Sequence, residues 1–497
     1  MELMQKKVWF VTGSQDLYGE EPLQKVAAHS KRIVEELEES SYIPISVEFR
    51  SVFTTPGDIS AMCSAANSDE SCVGLILWMH TFSPARMWME GLRKLQKPYA
   101  HLHTQFNREI PWSEIDMDFM NLNQSAHGGR EFGYACSRMG HTRKVVVGHW
   151  QDESVQRQLD TWTRAAAAFD DAQGAGIARF GDNMRDVAVT EGDKVEAQQR
   201  FGYVVNGYSL GDLGEYISAV SSGEVERLLE EYEQCYTLAD AAREGGEYRD
   251  ALRESASVEL GLKRFLEEGG FKGFTTTFEN LHGLRQLPGL AVQRLMEQGY
   301  GFGAEGDWKT AALVRALKVM GCGLAGGSSF MEHYTYHLEQ DNMKVLGAHM
   351  LEVCPSIAGD TPSLEVHPLD IGGKKPPPRL LFNAVPGSAI NASIVDLGNR
   401  FRLVSNDVDV VEPEEPLPNL PVARALWQPQ PDLKTEAGAW IVAGGAHHAG
   451  FSQAVTAEHL RNFAEMMDLE MVHIDEGTEF EEFKKELRWN AAYYNAR

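Results

Sequence analysis

The feature that most constrains this chain is the alternation, through roughly its first 150 residues, of short apolar runs with amphipathic segments of helical length. Val8-Trp9-Phe10-Val11 ends at Gly13-Ser14-Gln15, and Pro22 then opens a segment with Val26, Ile33 and Leu37 at helical spacing. Ile45, Val47 and Phe49 alternate as a second strand. A helix near 59–66 leads to a continuous apolar strand at 73–78, and a helix around 85–95 precedes strands at 98–103 and 144–147. A strand that is apolar at every position is covered on both faces, and helices between successive strands supply the crossovers. The pattern therefore predicts a parallel, doubly wound sheet. Such sheets place ligands at the carboxyl ends of their strands, which directs attention to loops at 13–19, 80–84 and 123–130.

From about 175 to 325 the same rhythm continues. Short strands are expected at 179–180 and 203–205, charged amphipathic helices at 224–241 and 250–268, and a strand at 274–278. A helix at 290–298, a glycine-rich turn at 299–306 and a helix at 308–320 follow. After Gly326-Gly327 prolines and short apolar runs take over. Lys375-Pro376-Pro377-Pro378 and the stretch 412–431 cannot be helix interiors, and Leu380-Leu381-Phe382, Ile394-Val395 and Trp440-Ile441-Val442 read as strands. Helices return at 457–467 and 480–487. The expected fold class is α/β: two doubly wound parallel-sheet domains (1–175 and 176–326) followed by a β-rich C-terminal domain (327–497).

Composition excludes several classes of function. A formal net charge of −26 with dispersed basic residues argues against a nucleic-acid partner and for a substrate that is neutral or cationic. No apolar run approaches the roughly 18 residues of a membrane span, and the N-terminal apolar stretch is too short for a signal-peptide core, so no membrane association and a cytoplasmic location are expected. Six scattered cysteines without a Cys-x-x-Cys pair read as buried, reduced thiols. Gly301-Phe302-Gly303-Ala304-Glu305-Gly306 spells G-x-G-x-x-G, but it is read as following a helix and a turn, where a dinucleotide fingerprint needs a strand. Gly-x-Ser-x-Gly and His-Glu-x-x-His are absent, against a serine hydrolase and a zincin.

What remains is a set of acidic and imidazole side chains among small residues, which let backbone and ligand approach closely. They are Glu305 in Gly303-Ala304-Glu305-Gly306, Glu332 after Gly326-Gly327-Ser328-Ser329, His349 in Gly347-Ala348-His349, and His448 ending Gly444-Gly445-Ala446-His447-His448. Their spacing is not a local metal motif. These segments, together with Gly13-Ser14-Gln15-Asp16-Leu17-Tyr18-Gly19, His80-Thr81-Phe82-Ser83-Pro84, Asn123-Gln124-Ser125-Ala126-His127-Gly128-Gly129-Arg130, Phe180-Gly181-Asp182-Asn183-Met184-Arg185 and Thr275-Thr276-Thr277-Phe278-Glu279, resemble the L-arabinose isomerases from end to end.

The resemblance implies an aldose–ketose isomerase of arabinose catabolism that converts L-arabinose to L-ribulose and also D-galactose to D-tagatose. It implies one divalent metal per subunit, usually Mn²⁺ with Co²⁺ or Mg²⁺ as alternatives, held by Glu305, Glu332, His349 and His448. Of the paired histidines the second is the one that aligns. It further implies a substrate pocket of Gln15, Leu17, Tyr18, Phe82, Gln124, His127, Phe278, Tyr334, Met350 and Ile371, and a homohexamer whose sites are shared between subunits. Asp16, His333 and Ala449 depart from the residues common in the family and are expected to border the site.

The chemistry fits those residue types. A proton alpha to a carbonyl is weakly acidic, so a cation that chelates sugar oxygens must stabilise the developing enediolate while carboxylates, here Glu305 and Glu332, move the protons. Mixed carboxylate and imidazole ligation suits an octahedral ion better than tetrahedral zinc. Three rival readings use similar residues: an isomerase of another sugar such as L-fucose, a metal-dependent hydrolase, and a non-catalytic sugar-binding protein.

Overall fold

The computed structural model describes residues 3–369, 371 and 373–496. The chain divides into two compact units, 1–170 with 458–467, and 171–457 with 468–497.

In the first unit, strands Lys7–Gly13 (β1), Ser46–Phe53 (β2), Cys72–Met79 (β3), Tyr99–His103 (β4) and Lys144–Val147 (β5) form one parallel sheet in the order β2-β1-β3-β4-β5. All of β3 is buried, as its unbroken apolar run requires. The strand order reverses between β1 and β3, so the loops leaving those two strands flank the topological switch point. Helix Glu20–Glu38 begins with two acids at its positive end, and Pro56–Ser68 starts on Thr55, whose hydroxyl accepts from Asp58 N–H. The expected single helix at 85–95 is broken. A 3₁₀ turn at Ala85–Met87 is followed by the short helix Met89–Lys94, and at the joint the buried Trp88 indole N–H donates to Ser83 Oγ.

The segment 123–130, expected as a loop, is mostly the start of helix Ser125–Met139. Its glycine pair serves close approach rather than a turn. A Cβ at Gly128 would lie 2.5 Å from Thr81 O, and one at Gly129 would lie 2.3 Å from His103 Nδ1, so the helix rests directly on the strand ends.

The second unit begins with Gly176–Phe180 (β6), Val204–Tyr208 (β7), the two-residue Thr237–Leu238 (β8), Phe271–Thr276 (β9) and Gly301–Ala304 (β10). Four of these make a second parallel sheet, β10-β9-β6-β7. The helix expected at 224–241 stops at Cys235. Thr237 N–H then donates to Pro362 O and Ala239 N–H to Leu364 O, so tertiary pairing replaces the last helical turns. The glycine-rich turn expected at 299–306 holds the edge strand β10. A Cβ at Gly301 would lie 2.0 Å from Ala311 O and one at Gly303 2.2 Å from Asp307 O, because the strand presses on helix Trp308–Met320. The G-x-G-x-x-G string is thus strand–turn–helix after all. Its first two glycines lie inside the strand, however, and the helix N-terminus is already capped by the Asp307 carboxylate, which accepts from Thr310 N–H.

The remainder carries Ser328–His337 (β11), Lys344–Ala348 (β12), Ser363–Val366 (β13), Pro378–Leu381 (β14), Gly387–Asp396 (β15), Phe401–Val411 (β16), Arg424–Pro429 (β17), His448–Ser452 (β18) and Glu470–Ile474 (β19). Six antiparallel strands run β15-β18-β11-β12-β17-β16, and β16 pairs back onto β15, which closes a barrel. Strand β19 adds in parallel to β16, and β14-β13-β8 form a small separate sheet. Trp440-Ile441-Val442, expected as strand, lies in helix Leu433–Ala443. Asp432 caps that helix, and Ile441 is 69% exposed at its end. Parallel sheets with helices plus an antiparallel β-barrel match the predicted fold class. None of the six cysteines is in a disulfide, but only Cys63, Cys72, Cys136 and Cys354 are buried; Cys235 is exposed because it ends a surface helix. No helix among the described residues is long and apolar enough to cross a membrane.

Candidate metal centre

Strand alternation builds the site. On β11, Met331 points into the barrel core with Trp427 and Phe451. Phe330 points the other way, into the core it shares with Phe274, Phe302 and Ala304 of the parallel sheet. Glu332 has the parity of Phe330. In register it lies between His448 of β18 and Ala348 of β12, and His349 follows Ala348 directly. Three neighbouring barrel strands thus deliver a carboxylate and two imidazoles to one edge. Glu305 arrives from the end of β10. Its backbone is left-handed (φ 60°), as is that of Gly306 (φ 84°). The conformation costs a residue with a Cβ about 1–2 kcal/mol. It persists because Glu305 O accepts from Met184 N–H and Gly306 N–H donates to Thr276 O.

Ligand atoms of Glu305, His349 and His448 lie within 4.8 Å of one another, and Glu332 Oε2 lies 4.0 Å from His349 Nε2. Each histidine is anchored through its other nitrogen. His349 Nδ1 is 2.5 Å from Glu352 Oε2, and His448 Nδ1 is 3.3 Å from Asp307 Oδ2. A carboxylate on Nδ1 fixes the tautomer that leaves Nε2 as a lone pair, the arrangement of metal-binding imidazoles. His448 Nε2 is fully buried and has no hydrogen-bond partner. An orphaned buried nitrogen beside two carboxylates and a second imidazole fits a divalent cation of borderline hardness.

Charge around the centre is balanced by contact. Burial pulls the His349 imidazole down, but Glu352, Glu332 and Glu305 outweigh it and hold it above its ordinary value. The neighbouring His447 imidazole holds the Glu305 carboxyl below its usual range against burial. Asp307 is buried, which by itself would raise it, yet Lys309 and His448 hold it far below the usual carboxyl range. His447 Nε2 also lies 3.9 Å from Glu305 Oε2, but its side chain is 38% exposed, against 0% for His448.

Residues 2–174 match the L-arabinose isomerase N-terminal domain, 176–323 the central domain and 327–470 the C-terminal domain of that family. The chain belongs to the L-arabinose isomerase family. It is 62% identical over 495 residues to the L-arabinose isomerase of Herpetosiphon aurantiacus, covering 100% of this chain and 99% of the relative. It is 59% identical over 497 residues to that of Geobacillus stearothermophilus, covering both chains fully, and 60% identical over 495 residues to that of Aeromonas hydrophila, covering 99% of each. The chain is therefore an isomerase.

The pocket positions implied by likeness to the L-arabinose isomerases fall into two sets. In the second unit, the Phe278 ring stacks parallel to His349 at 6.0 Å, and Tyr334 Oη lies 3.9 Å from Met350 Sδ. Ile371 is half-buried in the loop between β13 and β14. In the first unit, the loops at the β1/β3 switch point and the start of helix Ser125–Met139 gather the others. Gln124 Nε2 donates to Tyr18 Oη at 3.1 Å, Gln124 Oε1 lies 3.0 Å from His127 Nδ1, and His127 stacks on Phe82 at 4.5 Å. Gln15 precedes the 3₁₀ turn Asp16–Tyr18, and Leu17 is 85% exposed on it.

Two residues escaped the sequence reading: Asp307 and Glu352, which orient the histidines. Glu352 stands three residues after His349 and Asp307 two after Glu305, a proximity that could have drawn attention to both. His333 borders the site through its backbone, whose N–H donates to His447 O at 2.9 Å, but its side chain turns away. Its odd parity on β11 turns it into the barrel between Trp427 and Trp440, where burial pushes its imidazole down to about 4. Ala449 shares the inward parity of Phe451.

Proposed function

We propose that this chain interconverts L-arabinose and L-ribulose, and D-galactose and D-tagatose, as a divalent-metal-dependent isomerase. The observation that carries the reading is the convergence of Glu305, His349 and His448 around the partnerless His448 Nε2, with Glu332 alongside. Glu305, Glu332, His349 and His448 would hold the ion. Mn²⁺ suits this oxygen–nitrogen set best, with Co²⁺ or Mg²⁺ as substitutes. When bound, the ion supplies Lewis acidity toward the sugar's carbonyl and hydroxyl oxygens.

The protein's own groups carry the protons. One carboxylate of the Glu305/Glu332 pair takes the proton from C2 and returns it to C1, and the other moves the hydroxyl proton from O2 to O1. Carbon and oxygen protons are thus conserved and no oxidant is consumed. Phe278 and Tyr334 present apolar faces to sugar C–H groups and limit water, while the Tyr18–Gln124–His127 set offers donors and acceptors for hydroxyls. The same reading makes the protein a cytoplasmic homohexamer whose first-unit loops complete a neighbour's centre.

The test is ketose formation from L-arabinose by metal-stripped protein with and without Mn²⁺. Ketose only with metal, and its loss in Glu305→Gln and Glu332→Gln, is expected. Absence of L-ribulose under every metal condition would overturn the reading, and scattering mass in solution tests the hexamer.

A further inference from the structure

Glu305 holds its left-handed backbone next to a loop that no part of the proposed reaction uses, residues 181–187 after β6. That loop is seated on the segments that follow β9 and β10. Asp182 N–H donates to Asn280 Oδ1 at 3.0 Å, Arg185 N–H and Nε donate to Glu279 Oε2, and Met184 N–H donates to Glu305 O at 2.9 Å. At its centre is Asn183, 6% exposed. Its Nδ2 donates to Thr190 O at 2.7 Å and also lies 3.1 Å from Thr190 Oγ1 and 3.3 Å from Gly306 O, while its Oδ1 accepts from Arg179. Packing here has no slack: a Cβ on Gly306 would lie 2.5 Å from Asn183 Cα.

We infer that Asn183 is a positioning residue for Glu305: its amide holds the Gly306 carbonyl, and so fixes the turn that aims the Glu305 carboxylate at the two imidazoles. Both peptide carbonyls flanking the left-handed turn are gripped by this loop, one by the Met184 backbone and one by the Asn183 side chain. The second grip can be removed by a substitution that leaves the backbone unaltered. Without it, the turn is held only by the Met184 and Thr276 backbone bonds, and the Glu305 carboxylate is aimed less closely at the cluster. The inference rests on reading Glu305 as a metal ligand.

Asn183→Asp keeps the size and the acceptor for Arg179 but deletes the amide donor to Thr190 and Gly306; Asn183→Ala deletes donor and acceptor together. Free Mn²⁺ is measured by electron paramagnetic resonance during titration of the full-length protein, with the thermal midpoint of the metal-free protein and kcat and KM at saturating Mn²⁺ followed in parallel. Loss of the amide donor behind a charged ligand should weaken Mn²⁺ about tenfold and lower kcat by a similar factor, with KM for L-arabinose within about twofold. Asn280→Ala, which removes the Asp182 contact of the same loop without touching Gly306, should lower the thermal midpoint while leaving Mn²⁺ affinity in place. Glu305→Gln separates the two readings. If it binds Mn²⁺ as tightly as the unaltered protein, the metal centre itself is misassigned. If it loses Mn²⁺ while both Asn183 variants keep it, the positioning role is overturned. It is equally overturned if both Asn183 variants lose Mn²⁺ only together with their folded circular dichroism, or if Asn280→Ala weakens Mn²⁺ as much as they do.

Discussion

Replacing Asp307 by Asn tests how the buried charge is arranged beneath the candidate metal centre. Asp307 and Lys309 are each 1% exposed and 3.1 Å apart, and Asp307 also caps helix Trp308–Met320 and contacts His448 Nδ1. Asn is as good an N-cap as Asp, so the helix start is preserved and the charge alone is removed. Removing one partner of a buried ion pair typically costs about 3–5 kcal/mol. Lys309 Nζ keeps two carbonyl acceptors, Thr190 O at 2.9 Å and Glu191 O at 2.7 Å, which places the cost near the lower end, about 3 kcal/mol. The thermal midpoint should fall by about 5 °C. Mn²⁺ affinity should fall by about 10–100-fold, because His448 loses the carboxylate that fixes its tautomer.

The pH dependence has a definite sign. The folded carboxyl is held below its unfolded value, so its contribution is present above about pH 4 and lost as pH falls below it. The variant should lack that part of the acid slope. Differential scanning calorimetry from pH 3 to 7 and Mn²⁺ titration provide the readouts. A variant with unaltered midpoint and unaltered Mn²⁺ affinity would refute the account of both contacts.

Other outcomes follow from single contacts. His333→Phe should flatten stability between about pH 6.5 and 4. The buried imidazole titrates near 4 while the unfolded one titrates near 6.5, so the unaltered protein loses stability as pH falls through that window, which a denaturant midpoint series would reveal; Mn²⁺ affinity should not change. Gly347→Ala places a Cβ 2.0 Å from Trp427 Cζ3 inside the barrel and should destabilise by about 1–3 kcal/mol, seen as a lower thermal midpoint. Gln124→Ala removes the amide that joins Tyr18 to His127 and should raise KM for L-arabinose about tenfold at near-constant thermal midpoint in steady-state assays.

The parallel sheets were legible because a strand covered on both faces must be apolar throughout, and β3 obeys that rule at every position. The barrel was legible only as a change of texture, since short antiparallel strands with one polar face resemble loops and helix ends. Trp440-Ile441-Val442 was misread for that reason: an apolar triplet has no period, and the deciding signal was Asp432 as a helix cap. Glycines were the commonest source of error. Those at 128, 129, 301 and 303 looked like turn formers, yet they mark places where helix and strand touch, a fact set by partners distant in sequence. The four candidate ligands could be named from resemblance, but their convergence depends on register between β11, β12 and β18, which no local spacing encodes. Glu352 was hidden because an acid three residues from a histidine says nothing of which nitrogen it meets, and Asp307 because its histidine lies 141 residues away.

Helix Ala457–Met466 leaves the barrel strands behind and serves the first unit. There Glu458 pairs with Lys144, Asn462 Nδ2 donates to Thr161 Oγ1, and Leu460 and Phe463 are buried. The module that is continuous in space is therefore interrupted in the gene. A recombination that exchanged residues 1–170 between two such enzymes would pair each new sheet with the other parent's helix, ten residues encoded almost 300 codons downstream. Chimeras that carry residues 458–467 along with the first 170 should fold better than those joined at a single crossover, and inheritance of the two pieces is coupled across the whole reading frame.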